Sequence, residues 1–256
     1  MDQPRSQSRS GAPGRRDQRS SRGNAPVAAP KGGPPEIPDG VTGQELDRFV
    51  LRALSGLPSR VAGQVAAHLV MAGRLVDEDP ERAYQHARAA RGLAGRVAVV
   101  REAVGETAYA SGRYQEALAE LRAGRRINGS ADYLPIMADC ERALRRPLRA
   151  LELAKDPQVA GLDPAGQAEI TIVAAGARRD LGQLEAALQL LETAPLASRA
   201  RQPWVARLRY AYADALAAAG RGPDAVTWFH RTVAVDGQRA TDAEERLAEL
   251  EQAELR

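Results

Sequence analysis

The amino-acid sequence predicts an all-α protein: an α-solenoid of about five helical hairpins, with a leading helix before them and a capping helix at the C-terminal end. Three observations predict it. Residues 99–130 read as two helices joined by a tight turn at Ser111-Gly112-Arg113, with Val104, Ala108 and Tyr109 forming one apolar stripe before the glycine and Tyr114, Ala117, Leu118 and Leu121 another after it. An alanine near the start of the second helix recurs at Ala83, Ala117, Ala150, Ala187 and Ala225, in steps of 34, 33, 37 and 38 residues. Periods of this size belong to stacked repeats, because a short hairpin cannot cover both of its apolar faces and needs neighbours. No stretch alternates apolar and polar residues as a half-buried strand would.

The 256 residues are 44% apolar but only 4% aromatic, which suits closely spaced, alanine-rich helices. Residues 1–40 differ from the rest. They are rich in Arg, Ser, Gly and Pro and hold only Val27 and Ile37 as large aliphatics, so they are expected to form a disordered tail ahead of a repeat domain over residues 41–256. The tail's basic residues are Arg5, Arg9, Arg15, Arg16, Arg19, Arg22 and Lys31, against four acids. That difference equals the chain's whole net charge of +3, leaving the repeat domain neutral. Cys140 is the only cysteine, which excludes an internal disulfide. No run approaches the ~18 apolar residues that span a membrane, and Met-Asp-Gln-Pro-Arg-Ser leads into no apolar targeting segment. A cytoplasmic protein without a membrane partner is expected.

Taken in order, Thr42 and Glu45 have capping-box spacing ahead of Leu46, Phe49, Val50, Ala53, Leu54 and Leu57, which fit one face of a leading helix ended by Pro58. The first hairpin begins with a helix carrying Val61, Val65, Leu69 and Ala72. Its second helix starts at Asp79-Pro80, an N-cap followed by proline at the first helical position. After the hairpin around Gly112, Ser130 is read as the cap of the third pair, where Pro135 either bends the helix or lies in its first turn. Arg145 stands where the other turns have glycine. Asp163-Pro164 opens the fourth pair, which turns at Gly182. In the fifth, residues 204–219 form one helix and Gly222-Pro223-Asp224 introduces the next, with Trp228 and Phe229. Thr241 and Glu244 repeat the capping-box spacing before a last helix whose narrow stripe of Ala243, Leu247 and Leu250 suits a polar lid.

These features resemble the tetratricopeptide repeat, a 34-residue helix–turn–helix with small and large residues at set offsets. Val104-Gly105 match the family's Leu-Gly, Tyr109 lies beside its Tyr position, and Ala117 and Leu121 hold its second-helix Ala and Phe positions. A second copy runs through Tyr212, Ala213, Leu216, Gly220, Ala225 and Phe229. The departures are Arg101 at the Trp position, Gly129 and Gly237 at the Pro position, and Ala174-Ala175 for Leu-Gly in the fourth copy. The resemblance covers about residues 59–237.

It implies a concave groove, lined by the first helices, that takes a protein or peptide partner. The groove positions it assigns are Glu102, Glu106 and Tyr109; Asp132, Asp139 and Arg142; Glu169 and Arg179; and Arg207, Tyr210 and Asp214. Family members that hold a carboxylate there use Lys and Asn, and Glu102, Glu106 and Asp139 would repel such a ligand. No catalytic chemistry is expected: there is no nucleophile elbow, P-loop or metalloprotease helix. Gly220-Arg221-Gly222-Pro223-Asp224-Ala225 follows an alanine-rich helix and not a strand, so it reads as a turn and not as a dinucleotide site. His68, His86 and His230 are too far apart in sequence for a local ligand pair, and Cys140 reads as a small buried apolar residue, so neither metal nor cofactor is expected. The competing functional reading is an RNA- or ribosome-associated factor that contacts phosphate through the tail arginines.

Overall fold

A computed structural model describes residues 33–254. The tail positions from Arg5 to Lys31, and the disorder expected of them, lie outside the described residues. Within those residues the chain forms twelve α-helices and no strand. The leading helix is α1 (Arg48–Leu54). Five hairpins follow: α2 (Ser59–Leu75) with α3 (Pro80–Ala94), α4 (Ala98–Ala110) with α5 (Tyr114–Asn128), α6 (Leu134–Ala143) with α7 (Pro147–Ala154), α8 (Pro164–Asp180) with α9 (Leu184–Glu192), and α10 (Pro203–Ala218) with α11 (Gly222–Val233). The last helix, α12 (Ala243–Glu254), packs on α11. A 3-10 turn at Pro157–Gly161 separates α7 from α8.

The recurring alanines set the register. Ala83, Ala117, Ala150, Ala187 and Ala225 are all fully buried, each at the point where a second helix crosses its neighbours. Gly105 performs the matching service on α4, since a Cβ there would lie 2.4 Å from Leu121 Cδ2 of α5. Four of the five turns share one geometry. Gly112, Gly182 and Gly220 adopt φ near +72°, and the N–H of the next residue bonds back to the third-last helical carbonyl, as in Arg113 to Ala108 at 2.7 Å. Arg145 takes the same left-handed conformation at φ 62°, and Arg146 N–H bonds the Glu141 carbonyl at 2.8 Å. The first hairpin instead uses the longer connection expected before Asp79, whose carboxylate accepts the Arg82 N–H.

The ends of some helices differ from the sequence reading. Thr42 and Glu45 do bond each other, but within a turn; α1 starts at Arg48, where Asp47 accepts the Phe49 N–H at 2.7 Å. The nearer cap wins because Asp47 lies directly before the first helical residue. As a result Phe49 is 71% exposed, Ala53 is also exposed, and only Leu46, Val50, Leu54 and Leu57 of the predicted face pack inward. Ser130 does not cap α6. Its hydroxyl accepts the Asp132 N–H in a local turn, and Pro135 lies in the first turn of the helix. Thr241 is likewise held by the Asp236 carboxylate and not by Glu244.

Candidate protein-interaction groove

Successive first helices pack on one another, α2 on α4, α4 on α6, α6 on α8 and α8 on α10, whereas successive second helices do not. A stack tighter on one side curves toward that side, so the first helices line the inner face. The chain itself fills the head of this face. Helix α1 packs on α2 and α4, and Leu46, Val50 and Leu57 join Val61, Val99 and Ala103 around buried Leu54. Gly43 is pressed so closely on α2 that a Cβ would stand 2.5 Å from that of Ala66. Residues 65–72 are consequently buried on every side of α2.

The remaining groove runs from α4 to α12 and has two regions of different chemistry. From α6 onward the predicted charges are bonded to each other or to a neighbouring helix. Arg142 crosses from α6 to Asp180 of α8 at 2.9 Å and also holds Asp139 at 3.0 Å, lying over Gly176, where any Cβ would meet its guanidinium. Burial works against the Arg142 cation, and the Asp180 and Asp139 carboxylates more than offset it. Arg179 of α8 bonds Asp214 of α10 at 2.7 Å, Arg207 of α10 bonds Glu169 of α8 at 2.7 Å, and Arg246 of α12 approaches Asp214 at 3.4 Å. These pairs rim an open pocket of about 440 Å³, floored by Ile172, Ala175, Gly176 and Ala211 and closed at one end by Thr241 and Asp242.

At α4 the acids have no such partners. Glu106 and Asp132 are exposed, and neither has a basic side chain within 4.0 Å among the described residues. Glu106 reaches solvent between the groove walls. Loss of hydration raises its carboxyl pKa, the Tyr133 hydroxyl opposes the rise, and Glu102 adds to it. Glu102 itself is a correction to the sequence reading: only 8% exposed, it faces the end of α5, where the Asn128 amide donates to it at 2.7 Å. The register is one turn of helix off because Gly124 on α5 leaves room for the Glu102 stem, whose Cγ a Cβ there would approach to 3.2 Å.

The two tyrosines expected as anchors are half-buried. Tyr109 donates its hydroxyl to Asp139 at 2.6 Å and meets Tyr114 edge-on, and Tyr210 meets buried Phe229 the same way. Burial first, and then the neighbouring carboxylates Asp139 and Asp242, raise both phenol pKa values. Sequence reasoning missed Tyr133, Asp180 and Asp242. The hairpin spacing could have found Asp180, which stands two residues before its turn glycine at the end of a groove-lining helix. It also missed a contact away from the groove: His68 and His86 meet Nδ1 to Nδ1 at 3.0 Å inside the first hairpin, although they had been set aside as too far apart. They are equally distant in sequence from Asp77, in the turn between α2 and α3, and folding the hairpin there brings them together.

No family model matches the chain, and no curated protein matches it in sequence. Solved structures do match. Two crystal structures of nearly identical TPR-like repeats of a kinesin light chain from Podosopora anserina superpose with TM-scores of 0.55 and 0.52, each at 17% identity. The matches cover 71% and 68% of this chain and 98% and 95% of theirs. YrrB, described as a TPR protein with an unusual peptide-binding site, aligns at TM-score 0.46 and 17% identity over 78% of this chain and 98% of its own. With the first two superpositions and the repeated turn geometry together, the chain has the fold of a tetratricopeptide-like repeat solenoid.

Proposed function

We propose that the protein is a non-enzymatic scaffold that binds a peptide or protein partner along the inner face of the stack, between α4 and α12. The observation that carries this reading is the uneven charge of that face. Carboxylates and arginines from α6 onward are mutually satisfied, so a ligand gains little from them, while Glu106 and Asp132 leave uncompensated negative charge beside Tyr133. A basic residue of the partner fits there, with apolar side chains laid over Ile172, Ala175 and Ala211. The competing reading places binding in the arginine-rich tail.

The two differ in where binding is lost and in salt dependence. Partner capture by the full chain is compared with capture by the Glu106→Arg variant and by a form lacking residues 1–39. The groove reading expects capture to survive loss of the tail and to fall at least tenfold for Glu106→Arg. RNA binding that disappears with the tail, ignores Glu106→Arg and weakens with salt at a log–log slope of roughly −3.5, as for about five neutralised phosphates, would overturn it.

A further inference from the structure

The outer side of the stack carries a second surface, separate from the groove. There each first helix lies between two second helices that do not pack on each other, so a cleft runs between them with the first helix as its floor. Three of these clefts are bridged by a charged side chain from the floor. Over α4, Arg101 reaches the Gly95 carbonyl at 2.6 Å and Glu120 of α5 at 2.7 Å, with Arg91 of α3 completing the bridge. Over α6, fully buried Glu141 is held between Arg122 of α5 and Arg146 at the start of α7. Over α10, Arg209 ties the carbonyls of Leu196 and Ser198 to that of Arg231 on α11.

The cleft over α8 lacks a bridge. Thr171 stands as far before Gly182 as Arg101 before Gly112 and Arg209 before Gly220. Its short side chain turns back on its own helix, donating to the Gln167 carbonyl at 2.7 Å. No side-chain hydrogen bond or ion pair joins α7 to α9 among the described residues. The cleft therefore stays open, with a volume of about 430 Å³, Ile170 and Ala174 in its floor and Leu151, Val159 and Leu190 in its walls. Its charged lining is basic alone: Lys155 and Arg178, neither within 4.0 Å of a carboxylate among the described residues. Arg178 bonds only the neutral Gln183 amide.

We propose that this cleft docks an acidic amphipathic segment of a partner protein, which lays apolar side chains on Ile170, Ala174 and Leu190 and sets a carboxylate between Lys155 and Arg178. An apolar trough with a few convergent charges at its rim is the geometry that receives such a segment. The sign of the rim decides the occupant. The chain's own arginine-rich N-terminal segment has the wrong charge for it, and the acidic α12 of a second copy is engaged, because its Leu247 and Leu250 pack on their own core.

A phage-displayed library of short random peptides, selected on the full chain, tests this. Enriched peptides are re-measured on three variants: Thr171→Arg, which installs the side chain that bridges neighbouring clefts; Lys155→Glu, a surface change that leaves packing alone; and Glu106→Arg in the groove. The expected result is enrichment of Asp or Glu beside apolar residues at helical spacing. Affinity should fall at least tenfold on Thr171→Arg and on Lys155→Glu and stay unchanged on Glu106→Arg. Peptides indifferent to Lys155→Glu, peptides that are basic, or no enrichment at all would overturn the proposal, and sensitivity to Glu106→Arg alone would assign the binding to the groove.

Discussion

Acid should weaken this protein through the His68–His86 contact, and the size of the effect follows from its surroundings. A hydrogen bond between two Nδ1 atoms needs at least one of them bare, so the 3.0 Å contact does not survive protonation of both rings. His86 is fully buried, and its Nε2 has no partner to receive the second N–H of an imidazolium. Burial first, and then the charges of His68 and Arg82, push its pKa down to about 4, and burial lowers that of His68 as well. Above about pH 6.5 the imidazole is neutral in folded and unfolded chains alike, and its contribution to stability is complete. As pH falls from there toward 4, the unfolded chain takes up a proton that the folded chain refuses, so stability is lost across that window. A depression of this size corresponds to about 3 kcal/mol over the whole window. The variant His86→Gln keeps an amide for His68 to bond and does not titrate. Urea unfolding followed by circular dichroism, at about pH 7 and about pH 4.5, should show the wild type losing some 2–3 kcal/mol more than the variant. Carboxylate protonation affects both proteins and cancels in the difference. Equal losses would refute the reasoning.

The turn positions should respond in opposite directions. Gly112→Val, at φ 72°, should lower stability by about 1 kcal/mol or more, while Arg145→Gly, which releases a side chain from the same conformation, should raise it by about 0.5–1 kcal/mol; thermal melts decide both. Removing residues 240–256 uncovers the apolar cluster around Phe229, where Ala243, Leu247 and Leu250 now pack, and light scattering should show the shortened chain associating. Cys140 is fully buried and its thiol pKa is pushed up to about 12, chiefly by burial, so a thiol reagent at neutral pH should label it only as fast as the chain opens.

The repeat architecture was legible because its signals are local. Helical spacing, the Asp-Pro starts at Asp79 and Asp163 and the turn glycines each depend on residues within a few positions, and all are found where expected. What escaped depends on pairs distant in sequence. Nothing near Glu102 reveals that Gly124 opens a niche for it on α5, and nothing near Arg142 reveals that Gly176 lets its guanidinium cross to Asp180. The leading helix was legible as a helix but not as a plug. Its fit over α2 and α4 depends on Gly43 approaching Ala66, a contact between segments that share no local pattern.

The ladder of ion pairs on the inner face bears on which ligands the protein selects. Partly exposed pairs such as Arg179–Asp214 and Arg207–Glu169 contribute at most about 1 kcal/mol each to stability, so their main effect is to fix one first helix against the next and to occupy their own charges. A charged ligand entering between α6 and α12 has to displace a partner already in place, and its net electrostatic gain is small. Beside Glu106 and Asp132 it displaces only water, so a cation gains there and an anion is repelled. The outer cleft, lined by Lys155 and Arg178, has the opposite preference. Although the repeat domain is neutral as a whole, its two faces therefore discriminate by charge sign, and one partner segment cannot satisfy both.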